Sequence, residues 1–258
     1  MKFQLIKTNL SAVQKICLSG LFIAIATVLQ KVVAINYLSF APFIRVSLGG
    51  PALIMFASVL LGPIYGLFVG ACSDLLGYFV FDIKAFPLYP QITAIYALLG
   101  VIAYFVFSFV YSFKNTKVLR IIEIAFTSIM WVGISIFLLV NNQIKMFSSI
   151  YELNALTKAL VISISGVIFL SIILLSNFIK PKDKSIYASP LHICFASFVC
   201  DFFVLVIFGS IMKAWAFGFA TFLAIIICQA LIMFFNVFID TMLISAFQHF
   251  TKKYYVSR

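Results

Sequence analysis

Residues 62–79 read GPIYGLFVGACSDLLGYF, and this stretch decides the fold class. A distinctive residue occupies every fourth position, in the order Gly62, Gly66, Gly70, Asp74, Tyr78. Four-residue spacing places such residues on nearly one face of a helix. Glycines on that face predict a groove against which another backbone packs closely, as between membrane helices. A carboxylate inside a membrane is costly, so Asp74 is predicted to be functional and to have a cationic partner.

The composition of the whole chain agrees with a membrane location. Its 258 residues are 64% hydrophobic and 10% charged, and the mean hydropathy is +1.19. Soluble globular chains are about 45–50% apolar and about 25% charged. No stretch is polar enough for a separate soluble domain, so we predict one all-α polytopic membrane bundle over residues 1–258.

Eight apolar segments divide the chain into predicted spans, and most reach the roughly 17–25 residues that cross a bilayer. The second and third are separated only by Gly62 and Pro63, and Pro63 suits the first turn of a new helix. The last is too long for a simple span, so its end near Asp240 is expected to emerge along the interface. The segments are 13–35, 40–61, 64–81, 91–113, 121–140, 159–179, 191–212 and 216–247.

Basic residues give this bundle an orientation. With eight spans both termini lie on one side, and 12 of the 18 Lys and Arg residues fall on that side. Basic loops stay in the cytoplasm, so we predict a multi-pass cell-membrane protein with cytoplasmic N- and C-termini. The net charge of +11 then reflects orientation rather than a nucleic-acid surface.

Motifs of common enzymes are missing from the sequence. It contains no GxxxxGK[ST] phosphate loop, GxSxG or HExxH, which bind nucleotides or carry nucleophiles and metals. The five cysteines show no metal-ligand spacing. We therefore expect no catalytic residue, metal or cofactor in this chain, and a function other than that of an enzyme.

Arg45 is the most informative charge outside the glycine stretch. It lies between Pro42 and the Gly49–Pro51 turn, where a regular helix is disfavoured. Irregular backbone at membrane depth is tolerated where it lines a cavity, and a guanidinium there can grip a carboxylate. An Arg that reaches the interface, or that pairs with Asp74, is the alternative.

The topology places several polar side chains at the outer side of the bundle. Arg45 starts a span that runs inwards, whereas Asp74 and Tyr78 lie in the outer half of a span that runs outwards. We predict an outward-facing solute pocket at this side. The connector before the fourth span and the region before the last add further candidates, namely Tyr89, Gln91 and Lys213.

Three more acids lie in apolar segments. Asp201 is predicted as a second intramembrane carboxylate, which could pair with a cation, form a hydrogen bond across helices or relay protons. Glu123 and Asp240 are close enough to helix ends to be predicted as interfacial residues.

The order of these motifs resembles the substrate-binding (S) components of energy-coupling-factor vitamin transporters, most closely the folate type. Members carry an Arg-hydrophobe-Ser motif before the second helix, matched by Arg45-Val46-Ser47. A GP…G…GxxxDLLGY run then forms the third helix, matched by residues 62–78. The resemblance covers about residues 14–110.

The resemblance implies a subunit that binds a vitamin from outside and has no ATPase of its own. Its partners would be a transmembrane coupling protein and two cytoplasmic ATPases that hydrolyse the ATP. Small residues of the first helix mediate docking in the family, and Gly20 and Ala24 take that position here. Taken with the predicted outer pocket, the resemblance implies a set of candidate vitamin-binding residues. They are Arg45, Ser47, Asp74, Tyr78, Tyr89, Gln91 and Lys213.

Two departures from the family widen the range of functions. Members usually have six helices, so the pair within 120–180 is predicted to be an insertion into a core of 13–113 and 191–247. SLGGPA also replaces the aromatic sequence expected after the Arg, so the solute could be another vitamin or a base precursor instead of folate. Outside the family, the residues also allow an independent proton-coupled transporter that uses Asp74 and Asp201 and, less favoured, a membrane-embedded enzyme.

Overall fold

A computed structural model describes residues 10–34, 47–82, 87–113, 115–146, 149–178, 189–219 and 222–250. These residues form nine α-helices, two π-helical segments and a two-stranded hairpin. The helices are α1 (Ala12–Lys31), α2 (Gly50–Leu61), α3 (Pro63–Gly77), α4 (Pro90–Tyr111), α5 (Thr116–Val140), α6 (Ala155–Phe178), α7 (Pro190–Cys200), α8 (Gly209–Phe217) and α9 (Phe222–Phe250). The π-helical segments are Tyr78–Asp82 and Asp201–Phe208, and the strands are β1 (Gln143–Met146) and β2 (Ser149–Glu152).

The chain is an all-α polytopic membrane bundle, as predicted. Among the described residues, seven helices are long and apolar enough to span a bilayer, with α3 and α7 continuing through the π-helical segments. The first part of the second predicted span, 40–46, lies outside the described residues, and the helix in the described part, α2, begins at Gly50. Its 12 residues measure about 18 Å at 1.5 Å per residue. All of them are buried, so α2 is an internal helix and does not cross the bilayer alone.

Contacts between helix ends fix the direction of the chain. Lys31 at the end of α1 contacts Asp74 and Asp82 near the end of the third span, and Thr93 near the start of α4 contacts Asp74. We call this the distal end of the bundle. At the opposite, proximal end, Nε2 of His192 at the start of α7 lies 3.1 Å from the carbonyl oxygen of Phe113, just after α4.

The glycine face of α3 packs directly on the backbone of α4. A Cβ atom on Gly66 would lie 2.4 Å from the carbonyl oxygen of Gly100, and one on Gly70 would lie 2.1 Å from that of Tyr96. The Ser58 hydroxyl of α2 donates a hydrogen bond to the Gly100 carbonyl at the same crossing. The predicted groove is therefore present, and α4 is the helix that fills it.

Gly62 has a different role from the one its spacing predicted. It is the one-residue junction between α2 and α3, with a φ of +108° that L side chains rarely adopt. No atom lies within 4 Å of a Cβ placed there. Gly62 therefore turns the chain, whereas Gly66 and Gly70 make the helix contact.

Buried apolar side chains form two clusters among the described residues. The first joins α1–α4 to one face of the α7–α9 region and includes Leu119 of α5. The second joins α5 and α6 to another face of that region, around Phe198 and Phe234. The outer faces of α5 and α6 are apolar and exposed, for example at Ile129 and Val167, as expected of surfaces that meet lipid tails.

Candidate functional site

Asp74 lies in a polar network at the distal end. The ammonium of Lys31 is 3.6 Å from Oδ1 of Asp74 and 2.8 Å from Oδ2 of Asp82. The hydroxyl of Thr93 donates a 2.7 Å hydrogen bond to the other Asp74 oxygen. All three charged side chains are largely buried. The network ties the ends of α1 and the third span to the start of α4.

The cationic partner of Asp74 in the described part of the chain is therefore Lys31. Sequence reasoning placed Lys31 at the outer side but did not pair it with the acid. The signal was available, since Lys31 stands in the last turn of α1, a span predicted to end on the same side as Asp74. Arg45, the predicted partner, lies outside the described residues. Both Asp74 oxygens are engaged, so a solute that binds this carboxylate must compete with Lys31 and Thr93.

A separate cavity lies between α2, α4, α8 and α9 in the distal half. Its volume is about 30 Å³, which admits a water molecule or two. Pro51 and Tyr96 form part of its wall together with apolar side chains of α4 and α9. Its polar lining comes from four side chains, Ser47, Lys213, Gln229 and Asn236.

Two of these polar groups have unused bonding capacity. Lys213 is half-buried and has no carboxylate within salt-bridge distance in the described ranges. The side-chain oxygen of Asn236 is buried and has no hydrogen-bond donor there either. A cation beside amide groups can bind a carboxylate and a hydrogen-bonding heterocycle, so this cavity is the candidate solute site.

The structure brings together only part of the predicted site. Ser47 and Lys213 line the cavity, and Oγ of Ser47 also accepts the backbone N–H of Gly50 at 3.1 Å. Asp74 is near enough to Lys213 to interact electrostatically, although it does not line the cavity. The remaining described candidates lie apart from the cavity lining, namely Tyr78, Tyr89 and Gln91.

Those three side chains have other surroundings. The ring of Tyr78 packs edge-on against Phe79, and that of Tyr89 packs against Phe217 with ring centroids 4.8 Å apart. The side-chain oxygen of Gln91 is buried without a hydrogen-bond donor among the described residues. Each is close to the distal end of α3 or α4, as expected, but none is among the residues that line the cavity.

Gln229 and Asn236 are site residues that sequence reasoning missed. They are seven residues apart in α9, so two helical turns place them on the same face. Two amides at that spacing in an otherwise apolar helix were the signal. Both are more than nine-tenths buried, which an amide in a lipid-facing position would not be.

The expectation for two of the other acids is wrong. Asp240 and Glu123 were predicted to be interfacial, yet their exposed fractions are 0% and 1%. Asp240 lies within a continuous α9 whose axis carries it through the bundle. Asp240 is internal because other helices pack around α9. Glu123 is internal because its side chain lies beside Ser176 of α6 and Cys194 of α7. Asp201, predicted as an intramembrane carboxylate, lies within the candidate span Pro190–Phe217 and also has 0% exposure.

The predicted docking positions on α1 face outwards. Gly20 and Ala24 are exposed, and no atom lies within 4 Å of a Cβ placed on Gly20. Neighbouring apolar side chains such as Val13 and Val28 are exposed as well. This face is available to lipid or to another helix, whereas the nearby Ala26 is fully buried.

Comparisons of the chain with protein-family models, curated proteins and solved structures found no match. Its function must therefore be inferred from its own residues.

Proposed function

We propose that this protein is the substrate-binding subunit of an ATP-driven energy-coupling-factor vitamin transporter and that its solute is folate. One observation supports this most strongly: Ser47 and Lys213, both selected from the sequence, line one cavity together with Gln229 and Asn236. The resemblance of residues 14–110 to the folate-type S components supplies the transporter class.

The lining of the cavity suits the chemistry of folate. Its glutamate carboxylates can pair with the ammonium of Lys213, which lacks a carboxylate partner among the described residues. The amides of Gln229 and Asn236 can both donate and accept hydrogen bonds to the pterin edge. Ile92, Ile95 and Tyr96 also line the cavity and supply apolar surface against which an aromatic ring can pack.

Binding must enlarge this cavity. Small-molecule pockets measure about 300–1,000 Å³, whereas the cavity is about 30 Å³. The wall of α4 is held to α3 by backbone contacts at Gly66 and Gly70. The α8–α9 side lacks such contacts among its described glycines and is therefore the side expected to move on binding.

In the proposed transporter, partner subunits hydrolyse the ATP, which agrees with the lack of a GxxxxGK[ST] motif in this sequence. We expect the coupling protein to dock on the exposed face of α1. Replacing Gly20 by Trp should block co-purification with the coupling module without lowering folate binding. Gly133→Trp is the matched control, because Gly133 is equally exposed and has no atom within 4 Å of its Cβ position. Equal co-purification of the two variants would exclude docking at Gly20.

Uptake of labelled folate into proteoliposomes tests the transporter class. We expect none with the chain alone, with or without a proton gradient, and ATP-dependent uptake when the coupling protein and ATPases are added. Uptake by the chain alone, driven by a proton gradient and indifferent to ATP, would contradict the proposal.

Gradient-driven uptake by the chain alone would indicate the second candidate function, that of an independent proton-coupled transporter. The buried carboxyl groups of Asp201 and Asp240 favour it, because intramembrane acids are typical of proton relays. In that case Asp240→Asn should abolish gradient-driven uptake, whereas Glu152→Gln, an exposed acid in the hairpin, should leave it unchanged.

Arg45 can be tested separately from the described cavity. Arg45→Ala should weaken folate binding about tenfold or more, since the loss of a charged hydrogen bond costs about 1.5–3 kcal/mol.

Competition binding tests which solute the protein takes. A panel of other vitamins and base precursors should not compete with folate. Displacement of folate by another vitamin at lower concentration would retain the class and change the solute.

A further inference from the structure

The carboxyl groups of Asp201 and Asp240 meet inside the bundle. Asp201 begins the second π-helical segment and Asp240 lies in α9. The two groups are within hydrogen-bonding reach of one another, and neither residue has any exposed surface. None of their four oxygens has a hydrogen-bond donor among the described residues.

Two ionised carboxylates could not remain in such contact. Like charges at this separation repel strongly in a low-dielectric interior, and neither could donate a hydrogen bond to the other. One proton removes both difficulties, because the protonated group donates to its partner and the pair carries a single negative charge. No Lys, Arg or His contacts either group within salt-bridge distance in the described ranges.

The N-terminus of α2 is placed to stabilise that remaining charge. The backbone N–H of Ala52 faces Asp240, and as the third residue of α2 it has no acceptor within its own helix. The N-terminal end of a helix carries about half a positive charge. From α7, the titratable group beside the pair is the thiol of Cys200, an uncharged neighbour in this interior.

The pair lies about one helical turn from residues that line the cavity. Pro51, Leu205 and Asn236 line the cavity; Pro51 precedes Ala52, Leu205 follows Asp201 by about one turn, and Asn236 precedes Asp240 by one turn. The unpartnered oxygen of Asn236 is more than nine-tenths buried and stands on the same face of α9 as Asp240. The surroundings of the carboxyl pair and the wall of the cavity are therefore built from the same three elements, α2, the second π-helical segment and α9.

We propose that Asp201 and Asp240 form a proton-binding site that holds one proton between them and joins α9 to the second π-helical segment, about one turn from the cavity lining. Loss of the proton leaves two adjacent negative charges, which drive these two elements apart. Because Leu205 and Asn236 move with them, the cavity widens. Proton binding at this site does not depend on which solute the cavity takes.

Infrared spectroscopy of the purified full-length protein in detergent tests the site. At neutral pH the wild type should show the C=O stretch of a protonated carboxyl group. Asp201→Asn and Asp240→Asn should each lose it, because the new amide donates to the remaining carboxylate, which then stays ionised. Glu152→Gln should keep it. A band that survives both Asn substitutions and disappears in Glu123→Gln belongs to Glu123 and overturns the proposal.

A second measurement uses only the wild-type protein, so its outcome does not depend on the folding of a variant. Wild-type protein grown with carboxyl-¹³C aspartate should show the same band shifted to lower frequency, since the proton resides on an aspartate. An unshifted band, or no band, means that no aspartate holds a proton, and the proposal is wrong. A band that is absent in sodium buffer and present in a sodium-free buffer would assign the pair to a sodium ion instead.

Discussion

The α3–α4 and α5–α6 pairs are both antiparallel helix pairs in the same membrane bundle, but they are held together differently. In α3–α4 the backbones touch at Gly66 and Gly100, so that a Cβ atom on either would overlap a carbonyl oxygen. In α5–α6 side chains make the contact: Trp131 stacks on Phe169 at 5.7 Å and donates a hydrogen bond to Ser165.

The partners of a buried lysine also differ between the two regions. Lys31 contacts two carboxylates, at the junction of α1, the third span and α4. Lys158 of α6 is also buried, but its ammonium donates to the Leu139 carbonyl and the Asn142 side chain, which are neutral. We therefore expect substitutions at the α1, α3 and α4 contacts to be poorly tolerated, whereas the α5–α6 pair should tolerate them better.

Removal of the two cations should separate the regions most clearly. Lys31→Met removes the cation that contacts the largely buried carboxylates of Asp74 and Asp82 and should lower the free energy of unfolding by about 3–5 kcal/mol. Lys158→Met leaves only neutral acceptors and should cost about 1–3 kcal/mol. Unfolding by sodium dodecyl sulfate in mixed micelles measures both; equal losses would show that the charge network has no special weight.

Glycine substitution compares the helix contacts themselves. Gly100→Ala places a Cβ atom 2.0 Å from the Gly66 carbonyl oxygen and should cost about 1–3 kcal/mol, as expected for overpacking. Gly133→Ala on α5 meets no atom within 4 Å and should leave stability unchanged or slightly raised. Thermal aggregation in detergent ranks the two, and an equally stable Gly100→Ala variant would refute the backbone contact.

A side-chain change at the second contact should have a smaller effect. Trp131→Phe keeps a ring on Phe169 but removes the hydrogen bond to Ser165, which is worth about 1 kcal/mol. The same aggregation assay should therefore place it between Gly133→Ala and Gly100→Ala. A loss larger than that of Gly100→Ala would mean that α5–α6 is as constrained as α3–α4.

Deletion of α5 and α6 should affect folate binding least. His192 contacts the carbonyl of Phe113, so a short Gly-Ser linker can join residue 113 to residue 189. If the pair is an insertion, the shortened chain should bind folate within about threefold of the wild type, a difference of about 0.6 kcal/mol. Complete loss of binding by a monodisperse sample would show that the pair belongs to the core.

Much of this fold could be predicted because membrane helices are determined by local properties. Apolar length located the spans, and the four-residue spacing of Gly66 and Gly70 predicted a backbone contact. The sequence could not identify α4 as the partner, since that depends on which helices meet in three dimensions. The sequence also did not show that α2 is a short, fully buried helix, because an internal helix is as apolar as one that crosses the membrane.

The candidate site was less predictable because its parts are far apart in sequence. Lys213 and Ser47 were selected as polar residues near outer helix ends, a local signal. The pairing of Asp74 with Lys31 spans 43 positions, and that of Asp201 with Asp240 spans 39. Such pairings depend on helix rotation, which apolar composition does not determine when a helix is apolar on all faces.

Equilibrium binding of folate and reduced folates to the purified chain, in detergent and without any partner, tests the central claim most directly. We expect tight, saturable binding that weakens about tenfold or more in Lys213→Met, since a charged hydrogen bond is lost. Lys117→Met, which removes an exposed cation at the opposite end, should bind as the wild type does. No saturable binding by a monodisperse sample, or equal affinity of Lys213→Met and the wild type, would contradict the assignment of this cavity to folate.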